Sequence, residues 1–428
     1  TYAVDRSGRG CRPNASRIFL TVAWWLSMDD LLRSHACGAG PLVPPERARA
    51  MLAVRLNQLL AGGSGVDPAV LPVLAHAVNA GFTPPVRTYG AIGTGDLTAL
   101  ATTALCLLGE LPWRGPEQPE AGAATREAEG GAVADADAAR VGPAPVFALA
   151  PEDALPFISS GAATLADAAL ACHRLRELLD AAVGVAALSF AAAGASAEPL
   201  AAAVQEARPH PGQAAVAERL RALHAPGPPA RVQDPYGYRA FAPVHGAALD
   251  ALGRAERAVE TDLNAATENP LVSGALAWHN GNFHSAPVAL ALDALRAALV
   301  QTAQLGTARL ATLMDPAYTG GLPFLADRPG ASGAMILEYV AQDALAELRH
   351  LANPVTTGTA VISLGTEDHA GFATQAARQA LRCVEPYEIV LACERVAATR
   401  ALNGPGPDRP LTGDLDAALS ALRAPVTP

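Results

Sequence analysis

The amino-acid sequence predicts an all-α protein in which long helices form a central bundle. Of the 428 residues, 50% are hydrophobic but only 5% are aromatic, and alanine and leucine dominate where β-branched and aromatic residues would mark strands. Apolar residues also recur at helical spacing over long stretches of the second half. Three of these stretches, at about 286–314, 334–351 and 370–402, are long enough to lie side by side as the core of a bundle.

The first part of the chain predicts shorter helices joined by turns. Between residues 17 and 80 apolar residues repeat at helical spacing, with Pro45 and Pro68 as helix-start signals. Residues 81–97 interrupt the pattern, because the glycines and prolines clustered there are incompatible with a regular helix. Residues 114–145 are acidic and rich in Gly and Pro, which is typical of a surface loop.

The later helices are separated by two polar breaks. Helical patterns cover about 164–183, 212–224, 242–265, 286–314, 334–351 and 370–402. The breaks at 231–239 and 268–284 are polar and glycine-containing, and loops on a rigid scaffold are a usual place for chemistry. We therefore divide the chain into an N-terminal helical and loop region at 1–145, a central long-helix bundle at 146–403 and a C-terminal tail at 404–428.

The composition excludes several classes of function. The sequence has no lysine, so its 31 basic residues are all arginine, which excludes a Schiff-base lysine and the phosphate-binding lysine of a P-loop. The net charge of -10 disfavours a nucleic-acid partner, because binding to phosphates requires a basic face. The six cysteines form no CxxC pair and no zinc-ligand spacing, so they are expected to be free thiols.

The sequence also predicts a cytoplasmic protein without a membrane span. Residues 1–20 lack the apolar run and the cleavage site of a secretion signal. The most apolar stretch, residues 181–203, consists mainly of Ala, Gly, Val and Ser and contains Glu198 and Pro199. This composition is typical of a close-packed helix inside a bundle.

Short motifs follow one another along nearly the whole chain. They read Tyr2-Ala3-Val4-Asp5, Ser34-His35-Ala36, Arg55-Leu56-Asn57, Gly95-Asp96-Leu97, RPHPGQ at 208–213, RVQDPY at 231–236, Glu268-Asn269-Pro270, GNFH at 281–284 and Glu367-Asp368-His369. In this order they resemble the histidine and aromatic amino-acid ammonia-lyases over residues 1 to about 403, although each motif alone is weakly specific.

The resemblance implies a fold like that of histidase and phenylalanine ammonia-lyase. It implies a helical homotetramer whose active sites draw residues from more than one subunit. It also implies a carbon-nitrogen lyase with a small amino-acid-like substrate. Since the first motif matches the catalytic tyrosine loop of the family, the chain is expected to lack a piece that precedes this loop.

In the family, an electrophilic methylidene-imidazolone group forms by cyclisation and dehydration of an internal Ala-Ser-Gly. At the matching place this chain has Gly93-Thr94-Gly95. Dehydration of threonine would leave a methyl-substituted carbon that is a poorer target for attack. Ser159 also stands where the family has an asparagine that supports the electrophile. We therefore expect no cofactor, with a methyl-bearing group formed from the same three residues as the alternative.

The resemblance assigns roles to individual residues. Tyr2, Tyr236 and Glu367 are expected to be catalytic, and the substrate is expected to be bound by His35, Thr94, Ser159, Gln233, Arg239 and Asn282. Tyr2 matches the base, which requires a pKa below the ordinary value of about 10. Tyr236 and Arg239 match the residues that hold the substrate carboxylate, a task that suits a planar guanidinium. His35 matches the position that contacts the substrate ring.

Each assignment has an ordinary structural alternative. Arg239 could form a structural salt bridge, His35 could be a buried helix histidine bonded to a backbone carbonyl, and Tyr2 could be a terminal residue without a role. A metal at residues 367–369 is rejected, because adjacent residues of a helix point in different directions.

Without the electrophile, roughly ten or more kcal/mol of barrier must be saved in another way, on the scale of enzymatic rate enhancements. Either the leaving group is already good, as a quaternary ammonium is, or the proton is acidified by a neighbouring carbonyl or conjugated system. Loss of trimethylamine from a histidine or thiol-histidine betaine suits the first case. Intramolecular addition or cyclisation by the same base is one alternative. A non-catalytic ligand-binding protein that kept the fold is another.

Overall fold

The computed structural model describes residues 28–115, 142–224 and 230–423. Helices dominate these ranges, and the strands within them form two short antiparallel pairs. The all-α prediction is therefore confirmed. The prediction for Tyr2 lies outside the described residues.

The first helices build one hydrophobic core. They are α1 (Met28–His35), α2 (Pro45–Ala61), α3 (Val70–Ala80), α4 (Leu97–Leu107) and α5 (Ala154–Ile158), with strands β1 (Ala39–Leu42) and β2 (Arg87–Tyr89) between them. Helix α2 starts at a proline, whose missing N–H costs nothing in a first turn, and α3 ends at Gly81 in the left-handed region. Buried Leu52, Leu74, Leu100 and Phe157 belong to this core.

The helices that follow are mostly longer. They are α6 (Ala162–Ala193), α7 (Ala202–Ala207), α8 (Pro211–Leu223), α9 (Tyr236–Arg239), α10 (Phe241–Leu263), α11 (Ala286–Leu313), α12 (Pro316–Thr319), α13 (Ile336–Leu351), α14 (Ala373–Arg382), α15 (Val384–Asn403) and α16 (Thr412–Arg423). Strands β3 (Leu271–Ser273) and β4 (Leu276–Trp278) pair between α10 and α11. The predicted helices over 212–224, 242–265, 286–314 and 334–351 agree with these bounds to within two residues. The predicted end of the helix over 164–183 is wrong, because α6 continues to Ala193 through an Ala-rich stretch.

The prediction of one continuous helix over 370–402 is wrong. The structure has two helices there, α14 and α15, which meet at Cys383. Pro386 explains the break, because its ring has no N–H to donate and clashes with the carbonyl four residues earlier, that of Arg382.

The C-terminal helix α16 is joined to α15 by a charged contact. Nε and NH2 of Arg423 donate to Oε2 of Glu388 at 3.0 and 2.8 Å, and Leu422 beside it is buried. The predicted division of the chain at residues 145 and 403 stays a prediction.

Contacts divide the described chain into two compact units. The first contains the described residues up to Asp167, together with Val259–Ala289 and Thr356–Gln375. The second contains the described residues of Ala168–Ala258, Leu290–Val355 and those from Ala376 onward. Each unit is therefore assembled from segments that are far apart in the sequence.

Within the described ranges, helix α11 is long and apolar enough to cross a membrane by length and composition. Half of its most apolar window is buried inside the protein. The core helix of a bundle has the same properties, so this is weak support for a membrane span. The predictions of a chain without such a span and of a cytoplasmic location stay predictions.

Candidate active site

The turn around Gly93 is packed tightly against another segment of the first unit. Gly93 has a φ of 90° and Gly95 a φ of 121°, values that favour glycine. A Cβ atom on Gly93 would lie 2.3 Å from the backbone nitrogen of Ala373, so an alanine does not fit in this conformation. The backbone N–H of Phe372 donates to the carbonyl of Ile92 at 3.0 Å and joins the two segments.

Thr94 and Ser159 are both half-buried in the first unit. Ser159 follows the last residue of α5, and its backbone N–H donates to the carbonyl of Leu155 at 3.0 Å. Neither side-chain hydroxyl has a hydrogen-bond partner among the residues that the structure describes. Both hydroxyls are therefore available to a substrate or to water.

Asp96 anchors the end of the turn. Its backbone N–H donates to the carbonyl of Ser160 at 2.7 Å, and its carboxylate accepts the backbone N–H and the hydroxyl of Thr164 at 2.7 and 2.9 Å. The Thr164 hydroxyl lies 2.8 Å from that of Thr374. Burial raises the pKa of Asp96 to about 6, although the hydrogen bonds from Thr164 oppose this rise. A buried carboxyl group next to Gly95 thus titrates not far below neutral pH.

Two buried polar side chains of α2 fix the C-terminal end of α5. Gln58 accepts the hydroxyl of Ser160 at 2.6 Å. Arg55, one turn earlier and fully buried, donates to the carbonyl of Phe157 at 3.1 Å and to the carboxylate of Glu268 at 3.0 Å. These contacts hold the segment in which Ser159 lies.

Glu367 lies in a turn with an exposed apolar tip. Its Oε1 accepts the hydroxyl of Ser363 at 2.9 Å, and Ser363 and Leu364 have φ values of 52° and 55°. Leu364 is fully exposed. The same segment runs on to Phe372, which is bonded to the turn of Gly93. The chain therefore links this half-buried carboxylate to the predicted cofactor-forming loop.

Two histidines meet beside this segment. Nε2 of His284 lies 2.9 Å from Nδ1 of His369, and a Cβ on Gly371 would lie 2.7 Å from Cε1 of His284. One ring must donate and the other accept, so a proton can be passed between them. Asn282 is exposed, and its backbone N–H donates to Oδ1 of Asn280 at 2.8 Å.

One ring nitrogen of His35 makes the backbone hydrogen bond expected of a structural helix histidine, and the other stays available to a ligand. Its Nδ1 lies 2.9 Å from the carbonyl of Leu31 and 3.1 Å from the hydroxyl of Ser34. A carbonyl only accepts, so Nδ1 carries the proton and Nε2 is the acceptor of the neutral ring. The half-buried ring can therefore accept a hydrogen bond from a substrate N–H or O–H group.

In the second unit, Tyr236 and Arg239 form what we call the carboxylate clamp. The guanidinium carbon of Arg239 lies 4.7 Å from the ring centre of Tyr236, and its Nε donates to the carbonyl of Asp234 at 2.7 Å. Tyr236 is 71% exposed, and Gln233 is also exposed. The two remaining nitrogens of Arg239 are not used by these contacts.

The two arginines near the clamp differ in their carboxylate partners within the described ranges. Arg231 lies 3.4 Å from the carboxylate of Asp234, which also accepts the backbone N–H of Ser196 at 2.6 Å. Arg239 has no carboxylate partner among the residues that the structure describes. A planar guanidinium in this state can bind a carboxylate through two parallel hydrogen bonds.

The predicted site residues fall into two groups. His35, Gly93, Thr94, Gly95, Ser159, Asn282 and Glu367 belong to the first unit, and Gln233, Tyr236 and Arg239 belong to the second. Tyr2 lies outside the described residues. Within the described ranges no three His, Cys, Asp or Glu side chains come together as metal ligands. The rejection of a metal at residues 367–369 stays a prediction.

Comparison with known proteins decides the family. A sequence model described as aromatic amino acid lyase matches residues 27–424. This chain belongs to the aromatic amino acid lyase family. The histidine ammonia-lyase of Geobacillus thermodenitrificans (strain NG80-2) is 36% identical over 393 residues, which is 89% of this chain and 75% of that protein. The resemblance drawn from the motifs is thereby confirmed.

Solved structures of the family share the fold. Histidine ammonia-lyase from Trypanosoma cruzi has a TM-score of 0.80 at 28% identity, and the match covers 93% of this chain and 80% of that one. The ergothioneine degrading enzyme ergothionase from Treponema denticola has a TM-score of 0.80 at 22% identity, over 93% of this chain and 84% of that one. The second likeness shows the fold alone.

The residues at the turn differ from the triad that the family resemblance led us to expect for a methylidene-imidazolone group. The triad that forms the group begins with alanine, and the 2.3 Å approach of Ala373 to a Cβ on Gly93 excludes that residue here. The central residue is Thr94, which carries a methyl group that serine lacks. The loop thus differs from that triad at two of its three residues.

Two buried polar residues near this loop, Arg55 and Gln58, have no role among those predicted from the sequence. Arg55 and Gln58 occupy the buried face of α2 with Met51, Leu52 and Leu59. Polar residues at these apolar-face positions are a signal that could have identified them, since such side chains are rarely buried without partners. Their partners could not have been identified from spacing.

Proposed function

We propose that this protein is a carbon-nitrogen lyase that acts without the methylidene-imidazolone group and eliminates a tertiary amine from the quaternary ammonium group of an imidazole or aromatic amino-acid-like substrate. The observation that carries the proposal is the sequence Gly93-Thr94-Gly95, in which threonine stands where the resemblance expects the serine that becomes the methylidene carbon. An ordinary peptide loop cannot activate a poor ammonium leaving group. The leaving group must therefore be good already, as trimethylamine is.

The proposed reaction needs one base, Tyr2, and the carboxylate clamp to hold the substrate. Tyr2 takes the β-proton of the substrate, the electrons of that C–H bond form the double bond between Cα and Cβ, and the C–N bond breaks so that neutral trimethylamine leaves. The carboxylate clamp holds the substrate carboxylate throughout. The product is an aryl or imidazolyl acrylate.

Two features of the described residues support these roles. The guanidinium of Arg239 has no carboxylate partner in the described ranges and is held over Tyr236, so its planar face is already oriented. Nε2 of His35 is an acceptor, which matches the N–H of an imidazole ring. The Thr94 and Ser159 hydroxyls add further polar contacts for the substrate.

The substrate proposal is tested by ultraviolet absorbance of the acrylate product. The purified protein is incubated separately with histidine, tyrosine and trimethylated histidine, and trimethylamine is measured in the same samples. We expect product and trimethylamine from the trimethylated compound and no comparable reaction of the others. Histidine is the control because the relatives are histidine ammonia-lyases. Fast release of ammonia from histidine would overturn the proposal.

The cofactor part is tested separately by the intact mass. Cyclisation with dehydration removes two waters, about 36 Da, from the chain. We expect the mass of the unmodified sequence. A mass lower by two waters would show that the three residues still cyclise.

The proposal includes the homotetramer that family membership implies, with active sites shared between subunits. The fully exposed Leu364 and the exposed Val361, near Glu367, are apolar side chains that another copy could cover. Light scattering on a size-exclusion column is expected to give four chains per particle. A monomer at micromolar concentration would contradict this part.

A further inference from the structure

A buried arginine lies directly against the helical turn between Tyr236 and Arg239. Arg309, on α11, is 1% exposed, and its NH1 donates to the carbonyl of Gly237 in the middle of that turn at 3.0 Å. Helix α9 has four residues, and a single helical turn is not stable by itself. Its position therefore depends on contacts with longer helices.

The guanidinium of Arg309 is itself fixed by a buried carboxylate. Its Nε and NH2 donate to Oε1 and Oε2 of Glu394, on α15, at 2.6 and 2.9 Å. Ser189, on α6, donates its hydroxyl to the same Oε1 at 2.7 Å. The ring of Phe241 covers the guanidinium, with its centre 4.9 Å from the guanidinium carbon. Bidentate pairing sets the direction of the remaining N–H groups, including those aimed at α9.

Contact between α9 and α11 is close at two successive residues. A Cβ on Gly237 would lie 3.1 Å from Cγ and 3.4 Å from the backbone nitrogen of Arg309. The hydroxyl of Tyr238 lies 2.6 Å from that of Thr312. Gly237 and Tyr238 lie between Tyr236 and Arg239 in the sequence. Their contacts with α11 therefore fix the position of the backbone that carries the clamp.

Arg309 and Arg239 differ in whether a carboxylate pairs with their positive charge. The positive charge of Arg309 is paired with Glu394, whereas Arg239 has no carboxylate partner in the described ranges. We propose that Arg309 is a positioning residue for substrate binding. It fixes the backbone of α9, and with it the clamp, without touching the substrate. This inference rests on the proposed function, in that the clamp binds a carboxylate.

The test compares acids with their uncharged esters. The probes are trans-urocanate, 4-coumarate and cinnamate, each with its methyl ester, and affinities are measured by isothermal titration calorimetry. Arg309→Lys keeps the charge but cannot form the bidentate pair and also reach Gly237. We expect it to weaken binding of the acid about tenfold, because small displacements of a binding group are costly, and to leave binding of the ester unchanged.

The chain offers a matched control on the same helix. Arg296 is also fully buried and paired with Asp293, but its other bonds go to Gln379 and to the carbonyls of Leu351 and Asn353, none of them in α9. Arg296→Lys is expected to lower the melting temperature as Arg309→Lys does, with the ratio of acid to ester affinity unchanged. Equal effects of the two variants on that ratio would overturn the inference.

Two further variants separate the possible failures. Gly237→Ala places a methyl group 3.1 Å from Cγ of Arg309 while keeping both charged groups of the ion pair, and it is expected to cause the same selective loss if Arg309→Lys does not fold. Arg239→Gln removes the clamp cation itself. If the wild-type protein binds no acid better than its ester, or if Arg239→Gln leaves the ratio unchanged, the proposed clamp is wrong. If only Arg239→Gln lowers it, the positioning role is wrong.

Discussion

Replacement of Asp96 by Asn gives a quantitative test of the buried network next to the Gly93-Thr94-Gly95 turn. Burial raises the pKa of Asp96 from its ordinary 3.8 to about 6. A raised carboxyl pKa means that the folded protein binds a proton more tightly than the unfolded chain. The stability from this proton is fully present below pH 3.8 and is lost as the pH rises through about 6.

The size of the effect follows from the shift. About two pKa units correspond to about 3 kcal/mol between the protonated and ionised limits, of which about 2 kcal/mol is gained between about pH 7.5 and about pH 4.5. In Asp96→Asn, the amide oxygen can accept the N–H of Thr164 and the amide nitrogen can donate to its hydroxyl. That hydroxyl then donates to Thr374. The variant therefore imitates the protonated acid at every pH.

The assay is urea unfolding followed by circular dichroism at both pH values. We expect the wild type to gain about 2 kcal/mol on acidification relative to Asp96→Asn. Asp408→Asn is a control of opposite sign, because the backbone N–H groups of Ser332 and Gly333 lower the pKa of Asp408, whose contribution is lost as the pH falls. An identical pH dependence of wild type and Asp96→Asn would refute the reasoning.

Two further predictions concern the packing of the first unit. Gly93→Ala should destabilise the protein by about 2 kcal/mol more than Gly62→Ala, as judged by urea midpoints, because both have a similar positive φ but only Gly93 faces a backbone atom at 2.3 Å. Equal losses of stability in the two variants would contradict the prediction, because the close contact with Ala373 would then add no cost. Arg55→Met should cost about 3–5 kcal/mol, since it leaves the buried carboxylate of Glu268 without its cation. A stability within about 1 kcal/mol of the wild type would contradict this prediction.

The helical class and most long helices could be predicted because their signal is local. Spacing of apolar residues marked α11 and α13 to within two residues, because this spacing is read within each helix itself. The same reasoning missed the break at Cys383, because apolar residues continue at helical spacing on both sides of it. Pro386 was the local signal, and its clash with the preceding turn outweighs the pattern.

Residues of the candidate site could be predicted from the sequence only where they belong to a motif of the family. Tyr236 and Arg239 were found by resemblance, but their stacking and the missing carboxylate partner of Arg239 required coordinates. The contacts of Gln58 and Arg55 join residues that are 102 and 213 positions apart. No periodic pattern encodes such pairs, because each is set by the way separate segments are packed.

The contact between Arg55 and Glu268 also bears on how this protein is made. Ribosomes add about 5–20 residues per second, so a separation of 213 residues corresponds to a delay of about 10–40 s between the two partners. During that interval the guanidinium destined for the interior has no carboxylate, and the first helices lack their charge partner. The nascent chain is then exposed to association with other chains, and chaperone binding at this stage would protect it.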